Sequence, residues 1–158
     1  MATSQSNRIE RARGADIPAL IELLAGLFAL ESDFSADQTK QRCGLELLLA
    51  QPEDRAIVLV ARSATDKAIA MASAQLVIST AQGTSSAWIE DVVVQQSLRG
   101  QGIGPLLLQE LLSWAKRHGA TRAQLLADKS NTPALAFYRR AGWQPTRLMA
   151  WRITLADR

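Results

Sequence analysis

Hydrophobic residues recur along this chain with two different periods, and those periods divide it into helices and strands. Four segments carry apolar residues at the three- and four-residue spacing of an amphipathic helix, and six carry the alternating or continuous apolar pattern of a strand. The predicted helices cover about residues 17–30, 36–50, 105–118 and 132–140. The predicted strands cover about residues 8–12, 56–61, 68–79, 87–94, 122–127 and 148–155. This order predicts a mixed α/β layer.

Polar residues at the predicted helix starts supply the caps. Asp16 precedes the first helix and is expected to accept hydrogen bonds from its first turn. Ser35 and Gln38 have the spacing of a capping box, so the second helix is expected to begin directly after Ser35. Asn131 or Thr132 is expected to cap the fourth helix.

The composition agrees with a single folded domain. The chain has 158 residues, of which 47% are hydrophobic and 21% are charged, an ordinary balance for a globular protein. That length buries a core without help from disulfides or metal. No linker, repeat or low-complexity tract interrupts it. We therefore expect one domain over residues 7–158, preceded by a flexible tail over residues 1–6.

The net charge and the single cysteine and histidine limit the kinds of site and partner that the chain can have. Cys43 is the only cysteine and His118 the only histidine, which excludes an internal disulfide, zinc clusters, histidine metal sites and catalytic triads. The net charge of +3 is scattered, so no nucleic-acid partner is expected. No apolar run approaches the ~18–20 residues of a membrane span. Residues 1–7 lack the apolar core of a signal peptide, so we expect a cytoplasmic protein without a membrane partner.

The clearest chemistry lies in a glycine-rich turn between the strand that ends at Val94 and the third helix. Gly100, Gly102 and Gly104 leave backbone N–H groups with no Cβ in front of them. Such amides before a helix start bind phosphate well, because the positive end of the helix dipole lies behind them. The turn lacks the ending of a Walker loop, and its third glycine comes one position too early for a dinucleotide fingerprint. A simple tight connection remains the alternative.

Two blocks of sequence add a more specific signal. The first is Arg99-Gly-Gln-Gly-Ile-Gly104, and the second runs from Asn131 through Phe137 and Tyr138 to Trp143. Together, in this order and separation, they resemble the pyrophosphate loop and the Asn-x-x-Ala-x-x-Phe-Tyr-x-x-x-Gly-Phe/Trp segment of the GNAT superfamily of N-acetyltransferases. The resemblance implies an α/β (α+β) fold of the GNAT type, with a mixed central sheet of about six to seven strands flanked by four helices.

The resemblance also implies acetyl-CoA as the cosubstrate and assigns the residues that bind it. The strand before the turn would pair through its backbone with the pantetheine arm, and the turn would hold the pyrophosphate. Asn131 would bond the cofactor near its pantetheine end. The cofactor-binding residues implied in this way are Val92, Val93, Val94, Arg99, Gly100, Gln101, Gly102, Ile103, Gly104, Asn131, Phe137 and Tyr138.

Direct transfer of the acetyl group to a primary amine is the reaction that the resemblance implies. Tyr138 matches the family's general acid, which protonates the departing thiolate; a phenol with a pKa of ~10 can donate to a thiolate of pKa ~8.5 when held close. Glu90 is the candidate base, acting through water and expected to be partly buried beside Trp88, and Asp91 is its neighbouring rival. The N–H of Val92 is a candidate oxyanion donor.

Strand alternation extends this prediction. It places Trp88, Glu90, Val92 and Val94 on one face of their strand. Glu90 is therefore expected to line the same cleft as Val92.

The acceptor side is less defined. Glu31, Phe34 and Trp88 are candidate substrate-binding residues, because the family places its acceptor pocket near the end of the first helix. The spacing of Glu90, Arg99 and Tyr138 resembles the diamine-acetyltransferase branch, although residues 147–152 carry no matching acid. The acceptor therefore stays open among protein N-termini, lysines, polyamines, aminoglycosides and amino acids.

Two further alternatives remain open at this point. A non-catalytic CoA-binding sensor or interaction module on the same fold is the alternative to an enzyme. Trp143, Met149 and Trp151 cluster near the C-terminus. They either pack in the core or belong to a last strand that forms the edge of a homodimer.

Overall fold

Five strands and four α-helices form in the part of the chain that the computed structural model describes, residues 7–31, 33 and 35–155. The strands are β1 (Arg8–Arg11), β2 (Ala56–Arg62), β3 (Ala68–Ser79), β4 (Thr84–Val94) and β5 (Ala120–Leu125). The helices are α1 (Ile17–Phe28), α2 (Gln38–Leu49), α3 (Ile103–Arg117) and α4 (Thr132–Arg140). Short 3-10 turns cover Gly14–Asp16 and Gln96–Leu98. The tail expected over residues 1–6 lies outside the described residues.

The order of elements and the four helices confirm the sequence prediction, but the number of strands does not. The sheet has five strands rather than six or seven, and no strand forms over residues 148–155. This segment has the alternation of a strand, yet Trp151 and Leu155 are each 90% exposed. A strand needs a neighbour for its ladder, and among the described residues this segment has none.

One sheet with the order β1-β2-β3-β4-β5 organises the first part of the chain. The first four strands run antiparallel, so short connections suffice between β2, β3 and β4. Strand β5 runs parallel to β4, because α3 carries the chain back across the sheet between them.

The sheet buries both faces. On one face α1 and α2 pack Leu20, Leu24 and Leu45 against Val60 and Met71. The opposite face meets α3, whose apolar side is almost fully buried. The buried side chains of α3 include Leu107, Leu111 and Trp114. Burial of each large apolar side chain contributes roughly 1.5–3 kcal/mol, so the helices hold the sheet from both sides.

Helix caps differ from the prediction at two places. Helix α2 begins at Gln38 with Asp37 as its cap, whose side chain accepts from the N–H groups of Thr39 and Lys40. The predicted cap by Ser35 is wrong, because the Asp37 carboxylate accepts the first-turn N–H groups and the helix begins two residues later than expected. Asp16 holds the cap position of α1, but its carboxylate makes no cap hydrogen bond.

The Asp16 carboxylate binds the guanidinium of Arg62 instead of capping the helix. The guanidinium of Arg62 is 2% exposed and donates to both oxygens of Asp16 at 2.8 Å, and it also donates to Glu10. These hydrogen bonds lower the pKa of both carboxyls and raise the pKa of Arg62. Removal of one partner from such a buried group leaves an uncompensated charge. The cluster therefore joins β1, the start of α1 and the end of β2.

The chain divides into two compact units, Met1–Leu125 and Leu126–Arg158. The first contains the sheet with α1, α2 and α3, and the second contains α4 and the segment that follows it. The single domain expected over residues 7–158 stays a prediction. None of the helices in the described part of the chain has the length and apolar character that a membrane span requires.

Candidate active site

Strand β4 loses one of its two neighbours halfway along its length. Its parallel ladder with β5 begins at Ser85 and stops where Ile89 pairs with Leu125. Beyond that point β4 continues to Val94 and pairs only with β3. No strand among the described residues covers the other edge of residues 90–94. An extended ligand with amide groups can add to such an edge as a further strand.

A β-bulge lies at the start of this uncovered stretch. Glu90 pairs with Ser73 and Val93 pairs with Met71, so Asp91 and Val92 together oppose one residue of β3. Asp91 has a φ of 55°, in the left-handed region that aspartate tolerates better than most residues. The bulge bends the strand at the point where its ladder with β5 ends.

The bulge changes which side chains share a face. Ser73 and Met71 lie two residues apart on β3, so their partners Glu90 and Val93 project from the same face. Val94 then projects from the opposite face. The prediction that Glu90 and Val94 share a face is wrong, because the bulge inserts one extra residue between them. The prediction that Glu90 and Val92 line the same cleft assumed the same regular alternation. The bulge interrupts that alternation, so it no longer supports this prediction.

The two neighbouring carboxylates of β4 have different environments. Glu90 is exposed, so its expected partial burial is not found, and its Oε1 accepts a hydrogen bond of 2.9 Å from Nε1 of Trp88. Asp91 is half-buried, and its Oδ2 accepts from the hydroxyl of Ser73 at 3.4 Å. The more enclosed carboxylate at the bulge is therefore Asp91.

Burial raises the pKa of Asp91 to about 6. Desolvation is the largest cause, and the negative charges of Glu90 and Glu31 act in the same direction. The hydrogen bond from Ser73 opposes them. Glu31 follows the C-terminal end of α1, so the end of that helix and the bulge of β4 bring three carboxylates into electrostatic contact.

The glycine turn lies between the short 3-10 turn at Gln96–Leu98 and α3. Nε of Arg99 donates to the carbonyl of Val94 at 3.1 Å and ties the turn to the strand. Gly100 and Gly102 have φ values of 76° and 81°, which favour glycine. Gly102 caps α3, which begins at Ile103, two residues before the predicted start.

Backbone donors gather in this turn. Within the described part of the chain, the N–H groups of residues 100–104 have no hydrogen-bond acceptor. A Cβ built on Gly100 or Gly102 would meet no protein atom within 4 Å, so the space in front of the turn is open. Unpaired amides, a helix start and open space together form a cradle for an anion.

The remaining predicted residues lie on α4, in the second unit. Asn131 caps the helix as predicted, since its Oδ1 accepts from the N–H of Ala134 at 3.1 Å. The rings of Phe137 and Tyr138 lie 5.2 Å apart, and Trp143 meets Tyr138 edge-on at 6.1 Å. These contacts fix the position of the Tyr138 ring on its own helix.

The three residues predicted to bind the acceptor substrate differ in their surroundings. Glu31 and Trp88 are half-buried, and both connect to the bulge, Glu31 through its charge and Trp88 through its hydrogen bond to Glu90. Phe34 lies outside the described residues. No group of three or more His, Cys, Asp or Glu side chains in the described ranges is arranged to hold a metal ion.

Sequence comparison relates the chain to acetyltransferases. A family model described as "Acetyltransferase (GNAT) family" matches residues 19–143. Over 65 residues the chain is 34% identical to the uncharacterized N-acetyltransferase YobR of Bacillus subtilis (strain 168), a match that covers 41% of this chain and 26% of YobR. Over 63 residues it is 38% identical to the streptothricin acetyltransferase of Streptomyces lavendulae, covering 37% of this chain and 33% of that enzyme. The matched stretch thus spans about a quarter to a third of each relative.

Structural comparison covers more of the chain. The crystal structure of glucosamine-6-phosphate N-acetyltransferase from Arabidopsis thaliana is similar with a TM-score of 0.74 and 21% sequence identity. The similarity covers 94% of this chain and 98% of that one. It shows a common α+β fold with a mixed sheet.

The electrostatics of the bulge generate a first prediction. Replacement of Glu90 by Gln removes a negative charge beside Asp91, so we expect the pKa of Asp91 to fall below its value of about 6. The carboxyl carbon resonance of Asp91, followed by NMR from pH 3 to 9, measures this pKa. Glu22→Gln is the matched control, since Glu22 does not contribute to the pKa of Asp91.

The raised pKa of Asp91 also makes the stability of the fold depend on pH. Asp91 holds its proton more tightly in the folded than in the unfolded chain, so its ionisation destabilises the fold as pH rises from about 4 to about 6. Asp91→Asn lacks this loss and is expected to gain stability relative to wild type over that interval, with a constant difference above it. A wild-type Asp91 that titrates near pH 4 would contradict the described burial.

Proposed function

This chain belongs to the GNAT acetyltransferase family, and from that membership we propose that it transfers the acetyl group of acetyl-CoA directly to a primary amine of a small molecule or peptide. The observation that carries the proposal is the uncovered edge of β4, which leads through the short 3-10 turn at Gln96–Leu98 into the turn of unpaired amides at the start of α3. One continuous stretch, residues 90–104, supplies both features.

The uncovered edge suits the pantetheine arm of acetyl-CoA. That arm contains two amide groups, and a strand edge offers alternating N–H and C=O groups to pair with them. Val92, Val93 and Val94 supply the backbone for this pairing. The N–H of Val92, beside the bulge, is the proposed donor to the oxyanion that forms when the amine attacks.

The turn suits the pyrophosphate. In the turn from Arg99 to Gly104, the backbone amides of residues 100–104 hold the anion, and the dipole of α3 adds a favourable partial charge. Pro105 has no N–H, so the donors come from the turn and from Ile103 and Gly104 rather than from the third position of the helix. Acetyl-CoA, when bound, supplies the activated acetyl thioester.

On α4 we propose Tyr138 as the general acid that protonates the departing thiolate. A phenol has an ordinary pKa of ~10 and a thiol one of ~8.5, so proton transfer to the thiolate is favourable. Phe137 contributes an apolar surface to the cofactor. Asn131 uses its side-chain oxygen to cap α4, so its contact with the cofactor goes through the side-chain NH2 group.

The base is a carboxylate of the bulge. The sequence favoured Glu90, whereas the pKa of about 6 makes Asp91 the stronger physical candidate. A base works best when its pKa lies near the operating pH, and an ordinary carboxylate of pKa ~4.3 is weak for an ammonium of pKa ~10.4. We therefore propose Asp91 as the base, acting directly or through one water, with Glu90 raising its pKa.

The charge near the bulge favours a cationic acceptor. Glu31, Glu90 and Asp91 concentrate negative charge there, and Trp88 adds an aromatic ring beside Glu90. An ammonium group is attracted to both. Release of free CoA thiol, measured over a panel of polyamines, aminoglycosides, amino acids and peptides, identifies the acceptor class.

Cofactor binding tests the core of the proposal. Wild-type protein is expected to bind acetyl-CoA in isothermal titration with a dissociation constant of roughly micromolar order. Gly102→Ala places a Cβ on a residue with a φ of 81°, which costs about 1–2 kcal/mol. We expect this strain to move the turn and to lower the affinity about tenfold, the equivalent of ~1.4 kcal/mol.

The control for this experiment is Gly44→Ala in α2, a helical position with open space around it. It is expected to leave affinity unchanged, because alanine is favoured in helices. Wild-type protein that binds no acetyl-CoA would defeat the enzyme and the CoA-binding sensor alike. Binding without thiol release for any amine would instead support the sensor.

The pH dependence of transfer separates the two candidate bases. With Asp91 as the base, kcat/KM for the amine is expected to rise with pH through an inflection near 6. Glu90→Gln then shifts the inflection to lower pH and keeps most of the plateau rate. Asp91→Asn removes the inflection and lowers the rate by about 10²–10⁴-fold. Loss of activity in Glu90→Gln but not in Asp91→Asn would instead identify Glu90 as the base.

The proposed acid is tested by Tyr138→Phe, which removes the phenol hydroxyl and keeps the ring. We expect kcat to fall by about 10²-fold or more, because the thiolate then leaves without its proton. Acetyl-CoA affinity is expected to stay nearly unchanged. Thr84→Val is the control, since it removes a hydroxyl that donates to the carbonyl of Gly119. Equal rates for Tyr138→Phe and wild type at every pH would rule out this acid.

A further inference from the structure

Strands β3, β4 and β5 carry a row of polar side chains on the α1–α2 face of the sheet. Ser73 pairs with Glu90 and with Val58, which is buried in the core with α1 and α2. Paired residues share a face, so Glu90 and the alternate residues before it project from this side. The resulting polar row consists of Glu90, Trp88 and Ser86 on β4, Gln75 on β3, and Gln124 and Arg122 on β5.

Arg122 carries the positive charge at one end of the polar row. Its Nε donates to the hydroxyl of Ser86 and its Nη2 to the hydroxyl of Ser79, each at 3.4 Å. Both serines are buried, whereas Arg122 is exposed. No Asp or Glu among the described residues forms an ion pair with it. The serines therefore orient the guanidinium and leave its charge available to an anion.

Carboxylates carry negative charge at the other end of the row. Glu90 is exposed, and Asp91 follows it at the bulge. The side chain of Asp91 reaches the α1–α2 face, because its Oδ2 accepts from the hydroxyl of Ser73. The charge of Glu31 acts at the same point.

The length of the row sets the distance between the two charges. Glu90 lies four positions after Ser86, which is the partner of Arg122 on β5. At about 3.3 Å per residue, four positions of a strand span about 13 Å. A ligand that meets both ends therefore needs a cation and an anion at this separation.

We propose that the polar row binds a short peptide as the acceptor, with its N-terminal amine at the bulge and its free C-terminal carboxylate on Arg122. This inference rests on the proposed function, because it names the acceptor of that reaction. An extended peptide of about four residues covers the distance at ~3.3–3.6 Å per residue. Transfer forms an amide at the peptide amine, breaks the thioester, and releases CoA as its thiol together with one proton.

The middle of the row suits the body of such a peptide. Gln75 is exposed, and Gln124 is half-buried. Each side-chain amide can both donate to and accept from a peptide group. Trp88 pairs with both residues and so lies between them, where its ring offers a surface to an apolar side chain.

The same charges disfavour other acceptor classes. A polyamine or an aminoglycoside that extends along the row brings a further ammonium group toward Arg122, and like charges repel. A single amino acid holds its amine and carboxylate too close together to reach both ends. The row therefore favours a peptide of a particular length.

Isothermal titration with the tetrapeptide Gly-Ala-Phe-Ala tests the binding site, with CoA present because it carries no acetyl group to transfer. Wild-type protein is expected to bind the free acid about tenfold more tightly than the C-terminal amide, because only the acid offers a carboxylate to the guanidinium. Arg122→Gln is expected to bind both forms equally, and Arg122→Lys to keep part of the preference.

Arg117→Gln is the matched control, since it removes an arginine from the last turn of α3 on the opposite face of the sheet. It is expected to keep the full preference for the acid. Circular dichroism checks that the variants keep the fold. Equal affinity of wild type for acid and amide, no binding of either, or a preference that persists in Arg122→Gln would each overturn the proposed site.

Thiol release separates this inference from the proposed reaction. With acetyl-CoA, the free acid is expected to have a lower KM than the amide and a similar kcat. Thiol release with polyamines but not with peptides would refute the peptide acceptor and leave the proposed reaction standing. Selective binding of the free acid without thiol release for any amine would contradict the reaction and support the peptide site alone.

Discussion

The end of the β4–β5 ladder at Ile89 is the constraint on which the rest of the candidate site depends. Two parallel strands normally share their full length, but here β4 continues for five residues without its second neighbour. The bulge at Asp91 and Val92 adds one residue and bends the strand at the same point. Without this separation the strand edge would be covered, and the turn that follows would have no open groove to continue. The candidate site thus lies where the ladder between β4 and β5 ends and one edge of β4 stays uncovered.

That separation also explains the contrast between two groups of carboxylates in one sheet. Glu10 and Asp16 meet the guanidinium of Arg62, so their pKa values fall and their charges stabilise the fold. Asp91 is removed from water beside other carboxylates, and its pKa rises. A carboxylate beside a cation is stabilised in its charged form, whereas a desolvated carboxylate beside other negative charges is stabilised in its protonated form. The same residue type therefore shows opposite pKa shifts at the β1–β2 edge of the sheet and on β4.

Sequence patterns predicted the elements well because their causes are local. The spacing of leucines identifies α1 and α3, and the glycine turn marks the start of α3 to within two residues. The bulge escaped prediction because Val92, Val93 and Val94 form a continuous apolar run, in which one inserted residue leaves no trace in the period. Its signal lies on the neighbouring strand, where a buried Ser73 supplies a donor for Asp91. The strand expected over residues 148–155 failed for a different reason, since alternation describes the segment but not its partner.

Within the first unit, the proposed grip on the cofactor and the proposed contact with the acceptor draw on partly different segments. Residues 90–104 form one covalent run of strand, turn and helix start, so the geometry of an edge and an anion cradle is set locally. The charge that reaches Asp91 from Glu31 comes from the end of α1, whose start Arg62 anchors at the other end of the helix. In the proposed reaction, changes near Glu31 therefore alter which amine is attracted without moving the strand edge. The two proposed tasks meet at the bulge of β4 and draw on separate segments only through Glu31, so the proposed acceptor preference can vary there while the proposed cofactor contacts are kept.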